Sequence, residues 1–309
     1  MNMYSQQREV ADLFQQLKDK SYSREQRANA SKALKAIVSG CMTVEQFTPE
    51  WQMVYDDVAQ ILCGKIGMEN KRALGEVAAY LLAMLPYDLV WILDWIKGNY
   101  EKTPPKYEEE RSILVGILTT GLELLVQGGM PELVQDNLIM ESLDFVINSL
   151  NAIDKLTYDE LLETLFNSLV MFSGCYPVQF RQKFETTIRT VLAWSIEPIS
   201  AKLQRRCCEL CRLFLPYWDS DLAEKLTEEY LGTFEANLDK LSGRQDKELL
   251  SKNRAMIFSV SAIIETFVEM EEQQWAVGKV TETHPYCLDL LYSETVPPRQ
   301  RRIEKQGHQ

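Results

Sequence analysis

Hydrophobic residues recur along this chain at the spacing of α-helices. The segment FRQKFETTIRTVLAW, residues 180–194, is apolar at Phe180, Phe184, Ile188 and Val191, in steps of four, four and three residues. Such steps place the four side chains on one stripe of a helix. No stretch alternates strictly between apolar and polar residues between hairpin turns, so strands are not indicated. The sequence therefore predicts an all-α fold.

The same periodicity, with its breaks, predicts thirteen helices. They cover residues 5–19, 23–38, 49–63, 69–85, 87–97, 108–127, 131–150, 157–173, 177–195, 199–215, 219–241, 246–271 and 284–292. Ser23–Gln26 (SREQ) and Thr157–Glu160 (TYDE) match the capping box, in which the first and fourth side chains satisfy each other's backbone amides. Thr48-Pro49 matches an N-cap followed by proline. These signals mark helix starts.

Prolines divide the helical pattern at regular intervals. Pro86, Pro131, Pro177 and Pro216 lie at helix junctions and are 45, 46 and 39 residues apart. These intervals resemble the period of roughly 40–47 residues of HEAT and armadillo repeats. Because proline can end one helix and start the next without losing an internal hydrogen bond, we expect each to join the two helices of a pair. The helix that carries Phe180 would then be the partner of the helix over residues 157–173.

Helix pairs of this kind bury their apolar faces by stacking on their neighbours. We therefore predict an α-solenoid of antiparallel helix pairs, a HEAT- or armadillo-like superhelix, over residues 1–293. Residues 294–309 form a polar, flexible tail in this prediction. A four-helix bundle is the competing architecture, but the number of helices and their single period favour the solenoid.

Charge limits the possible partners. The 309 residues include 33 Lys and Arg against 45 Asp and Glu, a formal net charge of −12, which opposes binding to nucleic acid or anionic membranes by the surface as a whole. In the longest apolar run, Val77–Ile96, Pro86, Asp88 and Asp94 separate two pieces that are each too short to span a bilayer. The first residues lack the apolar segment of an export signal. We expect a cytoplasmic protein with no membrane partner.

The cysteine pattern fits either a metal site or a buried stripe on one face of a helix. Seven cysteines without an export signal favour free thiols. Cys207, Cys208 and Cys211 lie in RRCCELCRLF, where a Cys-x-x-Cys pair could begin a zinc site. However, Cys207 and Cys211 share a helical stripe with Leu210 and Phe214, and no second Cys/His pair follows, so core positions are favoured. We predict no metal and no cofactor.

Catalytic motifs are missing from the sequence. It contains no Walker loop, no dinucleotide-binding fingerprint, no nucleophile elbow and no HExxH. His284 lies near Cys287, but nothing offers the third group that a catalytic triad requires. Asp219 and Asp221 suggest a calcium loop, yet the glycine and the final glutamate of such a loop are missing, which favours an acidic helix start. The sequence therefore predicts a protein without enzymatic activity.

Basic residues gather on two successive predicted helices. Arg181, Lys183 and Arg189 lie on the first, and Arg205 and Arg206 on the second. A solvated helix face is the common role of such residues. We take these five as the candidate partner-binding residues, for a protein partner or for a weak contact with RNA.

Two neighbouring segments carry a further pattern. The first is LFNSLVMFSGCYPVQFRQKFETTIRTVLAWSIEP, Leu165–Pro198, and its distinctive positions are Tyr176-Pro177, Phe180, Phe184, Trp194, Ile196 and Glu197. The second is LFLPYWDSDLAEKLTEEYLGTFEANLDKLSG, Leu213–Gly243, with Pro216, Trp218, Asp221-Leu222, Leu231 and Phe234. Both segments resemble the N-terminal HEAT-repeat region of the phosphatidylinositol-3-kinase-related protein kinase of nonsense-mediated mRNA decay.

This resemblance implies a scaffold. In that family the N-terminal solenoid docks the regulatory subunits that restrain the kinase. The kinase domain has no counterpart here, so no catalytic residue is carried over, and the resemblance implies either part of a larger kinase or a short relative. Two alternatives remain open, namely an unrelated helical-repeat adaptor in trafficking or transport and an RNA-binding helical array.

Overall fold

The computed structural model describes residues 3–19, 21–40, 51–64, 67–153, 159–197, 199–241 and 247–268. These residues form helices and turns, and no strand occurs among them, which confirms the all-α prediction. The α-helices are α1 (Met3–Lys18), α2 (Arg24–Ser39), α3 (Trp51–Leu62), α4 (Met68–Met84), α5 (Leu89–Lys102), α6 (Glu108–Gln127), α7 (Asp136–Ala152), α8 (Asp159–Cys175), α9 (Pro177–Gln182), α10 (Phe184–Ser195), α11 (Ala201–Leu213), α12 (Ser220–Leu241) and α13 (Lys247–Val268).

Local sequence explains several helix starts. The capping box of Ser23 is present: the Gln26 amide donates to Ser23 Oγ at 3.2 Å, and the Ser23 amide donates to Gln26 Oε1 at 2.8 Å. Asp219 caps α12 from the position before its first residue, since its Oδ1 accepts from the Leu222 amide at 2.8 Å. The acidic segment is therefore a helix start, as predicted. The N-cap predicted at Thr48-Pro49 and the first residue of the capping box predicted at Thr157 lie outside the described residues, as do the tail and the helix predicted over 284–292.

The chain divides into two compact units, residues 1–183 and 184–309. In the first unit α1 packs on α2, α3 on α4, α5 on α6 and α7 on α8. The second helices of these pairs also form a layer of their own, in which α2, α4, α6 and α8 lie side by side. In the second unit α10 packs on α11 and α12 on α13, and α11 packs on α13. The predicted architecture of stacked helix pairs, an α-solenoid, is confirmed.

The expected role of the prolines within a pair is wrong. Pro86 and Pro131 begin short 3-10 turns, Pro86–Asp88 and Pro131–Leu133, and these turns connect the second helix of one pair to the first helix of the next. Pro177 follows α8 in the same way. The reason is steric: proline cannot continue the preceding helix, and its fixed φ starts the connection that leads the chain out of the completed pair. We call these three connections the proline links.

The helix predicted over residues 177–195 is divided. Lys183, with φ −108° and ψ 7°, separates α9 from α10. The predicted stripe is nevertheless buried, because Phe180, Phe184, Ile188 and Val191 are each at most 3% exposed. The predicted partner is correct only for α9, which carries Phe180 and packs on α8, and it is wrong for α10, which pairs with α11.

Glycines bring two second helices close together. A Cβ on Gly75 of α4 would lie 2.6 Å from Ile113 Cγ2 of α6, and a Cβ on Gly121 of α6 would lie 2.9 Å from Leu82 Cβ of α4. The two contacts follow the same order along both helices, so α4 and α6 run in the same direction. Parallel second helices are what a stack of identical helix pairs requires.

The apolar run around Pro86 forms two helices. None of the described helices is by itself both long and apolar enough to cross a bilayer. By length and composition Met68–Met84 and Pro86–Lys102 pass such a test together, but the chain bends by 100° between them.

Candidate interaction surfaces

Two of the five predicted binding residues lie in the first unit. Lys183 forms an ion pair with Asp144 of α7, with Nζ 2.8 Å from Oδ1. Arg181 is an exposed residue of α9. Because the Lys183 ammonium already has a carboxylate beside it, it attracts an anionic partner less than an isolated ammonium would.

Arg189 lies in the second unit, at the centre of a charge network between α10 and α12. Its guanidinium donates to both carboxylate oxygens of Glu229, at 2.6 and 3.2 Å, and to Glu185 at 3.0 Å. Lys225 also donates to Glu185, at 3.0 Å. Hydrogen bonds from Lys225 and Arg189 lower the pKa of Glu185, and those from Arg189 lower the pKa of Glu229. The network joins first helices of successive pairs, which gives Arg189 a structural role.

The two remaining predicted residues lie on α11. Arg206 donates to Glu209 at 3.2 Å, and Arg205 is exposed. Arg205 also lines a groove of about 490 Å³ between α11 and α13. An ion pair between Arg212 and Glu265 lies in the same groove.

Most of the predicted basic cluster is therefore engaged with carboxylates. Lys183, Arg189 and Arg206 each form an ion pair within their own unit. Glu185 and Glu209 are close enough in sequence to be predicted as partners of Arg189 and Arg206. The other two partners, Asp144 of Lys183 and Glu229 of Arg189, lie 39 and 40 residues away and could not be predicted. That these five residues form a binding surface stays a prediction.

The cysteine cluster belongs to the core. Cys207 and Cys211 are fully buried, together with Leu210 and Phe214, which confirms the predicted stripe. Burial raises the pKa of Cys207, Cys208 and Cys211, which disfavours the nucleophilic thiolate. Among the described residues no group of three or more His, Cys, Asp or Glu side chains could hold a metal ion.

A second cavity, of about 300 Å³, lies in the first unit where α3 and α5 end. Its wall includes a nearly buried ion pair, in which Lys71 Nζ of α4 lies 2.6 Å from Glu110 Oε1 of α6, with side chains 6% and 14% exposed. Tyr107 also lines the cavity. The pair links neighbouring second helices inside the stack, so its evident role is structural.

A row of exposed apolar side chains follows the proline links. Tyr87 is 80% exposed, Val90 53%, Met130 40% and Val178 65%. Tyr87 and Val178 directly follow a proline, and Met130 directly precedes one. We call the surface formed by these four residues the proline edge. Sequence reasoning missed it, although its members stand outside the buried stripes and next to the prolines.

Packing places the three proline links at one edge of the first unit. Because the second helices lie side by side in one layer, their C-terminal ends come together. At this end the Tyr176 hydroxyl, which follows α8, donates to the Leu122 carbonyl of α6 at 2.9 Å. The Gln179 side chain at the start of α9 donates to Asp136 Oδ1 at the start of α7, at 2.8 Å. The second and third links are therefore held together, and the contact of Leu82 near the end of α4 with Gly121 of α6 brings the end of α4, which precedes the first link, close to α6.

The proline edge also carries negative charge. Asp88 and Glu132 lie within two of the links, and Asp136 begins α7 directly after Pro131–Leu133. Within residues 86–90, 130–136 and 177–182, which contain the three links and are all described, Arg181 is the only basic residue. The surface thus combines exposed apolar groups with an excess of carboxylates.

Comparison with known proteins gives no family. No family model matches the chain, and no curated protein matches it. Among solved structures, it is similar to an engineered protein of the Northeast Structural Genomics Consortium, at 12% identity and a TM-score of 0.40, over 83% of this chain and 97% of that one. It is also similar to a designed armadillo repeat protein in complex with the peptide (KR)4, at 12% identity and a TM-score of 0.38, over 81% of this chain and 98% of that one. The fold class follows from the chain's own packing.

Proposed function

We propose that this chain is a protein-interaction scaffold without catalytic activity, and that it acts as the N-terminal solenoid of the nonsense-mediated mRNA decay kinase in the cytoplasm. Its partners in this proposal are the regulatory subunits of that kinase. The observation that carries the scaffold function is the proline edge, where Tyr87, Val90, Met130 and Val178 expose apolar surface at successive repeats. Exposed apolar groups arranged in a row are typical of protein-binding surfaces.

The assignment to the decay kinase rests on the sequence resemblance. Its aromatic positions Phe180, Phe184, Trp194 and Trp218 are all buried, at most 7% exposed. They are core positions of successive helix pairs. The resemblance therefore concerns how the repeats pack, and the surface must supply the partner specificity.

A protein partner is favoured over RNA. The network of Arg189 and the ion pairs of Lys183 and Arg206 leave little unpaired positive charge in the predicted basic cluster. The net charge of −12 adds repulsion of a phosphate backbone. An RNA contact would show an affinity that falls steeply with salt and is lost when Arg181, Arg189, Arg205 and Arg206 are changed to Glu.

Reconstitution with purified regulatory subunits tests the proposal. The full chain and the subunits should coelute in size-exclusion chromatography, and isothermal titration should give a saturable affinity. The double variant Tyr87→Ala/Val178→Ser should weaken binding, whereas Leu250→Ser, which alters an equally apolar residue that is 47% exposed elsewhere, should not. A folded chain that binds none of the subunits would refute the kinase assignment and favour a helical-repeat adaptor of another assembly.

A further inference from the structure

We propose that the proline edge binds a basic amphipathic helix of a partner protein. The inference rests on the proposed scaffold function and names the chemistry of its partner. Three observations support the inference: the row of exposed apolar side chains, the carboxylates beside this row, and the helices and turns that form the backbone of the proline edge.

The apolar row sets the hydrophobic side of the partner. Tyr87 lies in the turn before α5, Val90 at the start of α5, Met130 before the turn that leads into α7, and Val178 in α9. Packed helices lie about 8–10 Å apart, so successive links offer apolar groups at about that interval. Seven residues of an α-helix advance about 10.5 Å. A partner helix with apolar residues in each heptad therefore meets one proline link per heptad.

The backbone of the proline edge favours a helix over an extended peptide. The residues at this edge form helices and 3-10 turns, and no strand is present among the described residues to offer an open row of hydrogen bonds. An extended peptide would leave its own amides without protein partners, whereas a helix satisfies them internally.

The carboxylates set the charge of the partner. Asp88, Glu132 and Asp136 lie in or next to the links, against the single guanidinium of Arg181. Lysine and arginine residues that flank an apolar face would meet these carboxylates around the rim of the contact. Such rim charges mainly accelerate association and discriminate against acidic partners.

The direct test uses two synthetic helices. Each has 21 residues with leucine at positions a and d of three heptads; the remaining positions carry mainly lysine and arginine in one peptide and mainly glutamate in the other. Fluorescence anisotropy measures the affinity of each for the full chain. We expect the basic helix to bind at least tenfold more tightly than the acidic one, with an affinity that falls as salt is raised. Equal affinities, or no binding of either helix, would overturn the proposal.

Matched variants locate the contact. Tyr87→Ala/Val178→Ser should weaken the basic helix at least tenfold, while Leu250→Ser leaves its affinity unchanged. Asp88→Asn/Glu132→Gln should weaken it about threefold and reduce its salt dependence. A general attraction to an acidic protein predicts the same loss for Glu25→Gln/Glu101→Gln, which removes the same charge from exposed positions elsewhere, and that result would contradict the proposal.

The assignment to the decay kinase and the binding of a basic helix at the proline edge can be refuted independently of each other. If the regulatory subunits bind and Tyr87→Ala/Val178→Ser has no effect on them or on the basic helix, the scaffold stands and the proline edge is refuted. If the basic helix binds at the proline edge and the subunits do not bind, the surface stands and the kinase assignment falls.

Discussion

Substitution of Gly75 by alanine tests the close contact between α4 and α6. The added methyl would lie 2.6 Å from Ile113 Cγ2, well inside van der Waals contact. Ile113 is buried and branched at Cβ, so its Cγ2 can move only if χ1 leaves its preferred rotamer or the helices separate. Overpacking of this kind costs about 1–3 kcal/mol, while alanine regains about 1 kcal/mol of helix propensity. We expect a net destabilisation of about 1 kcal/mol.

Gly116→Ala is the matched control, because Gly116 lies within α6 and a Cβ there would meet nothing within 4 Å. This variant should gain about 0.5–1 kcal/mol from helix propensity alone. The two variants should therefore differ by about 2 kcal/mol, or about 4–8 °C in Tm for a unit of this size. Urea and thermal unfolding followed by circular dichroism at the helical band measure both quantities.

A double-mutant cycle isolates the contact. Ile113→Ala removes Cγ2, and the next Ile113 atom, Cβ, would lie 3.8 Å from the new methyl. In this background Gly75→Ala should stabilise the protein by about 1 kcal/mol, since propensity remains and the clash is gone. The reasoning is refuted if Gly75→Ala stabilises the wild-type chain, or if its effect keeps the same sign in both backgrounds.

Three further changes test the packing and the charge networks. Lys71→Ala should cost about 3 kcal/mol in urea unfolding, because Glu110 then keeps a nearly buried charge without its partner, and Lys71→Met/Glu110→Met should recover most of the loss. Trp194→Ala should cost about 3–5 kcal/mol if its burial at 7% exposure reflects core packing, and unchanged stability would contradict that role. The lowered pKa of Glu185 contributes stability that is present at neutral pH and lost as pH falls through that lowered pKa. Glu185→Gln should accordingly make Tm fall less steeply as pH is lowered. The change in the free energy of unfolding should be no more than about 1 kcal/mol, because the network with Arg189 is largely exposed. The same fall of Tm in both proteins would show that the network contributes nothing.

Sequence reasoning located the helices well because amphipathic periodicity and caps are local properties. The stripe of Phe184, Ile188 and Val191 is buried as its spacing indicates, and Ser23 caps α2 as its motif indicates. It erred where a start signal was ambiguous. Pro131 does not begin α7, since the chain first makes a 3-10 turn and the helix starts at Asp136.

Most features of the candidate surfaces could not be predicted from the sequence. The basic residues were visible as a cluster, but Asp144, which pairs with Lys183, and Glu229, which pairs with Arg189, lie about one repeat away along the chain. The proline edge depends on several links being brought to the same edge, so single exposed residues such as Tyr87 carried no signal by themselves.

The sequence by itself determined most of the helical spans, the buried faces and the repeat period, because a residue's helical phase depends on neighbours only three or four positions away. The tertiary structure alone decided which helices pair. It showed that the prolines connect successive pairs, whereas the sequence had placed them between the two helices of one pair. It also decided that Gly75 meets Ile113 and that Arg189 meets Glu229. These contacts join residues about 40 positions apart, and they depend on the order in which complete faces stack, which no local pattern specifies.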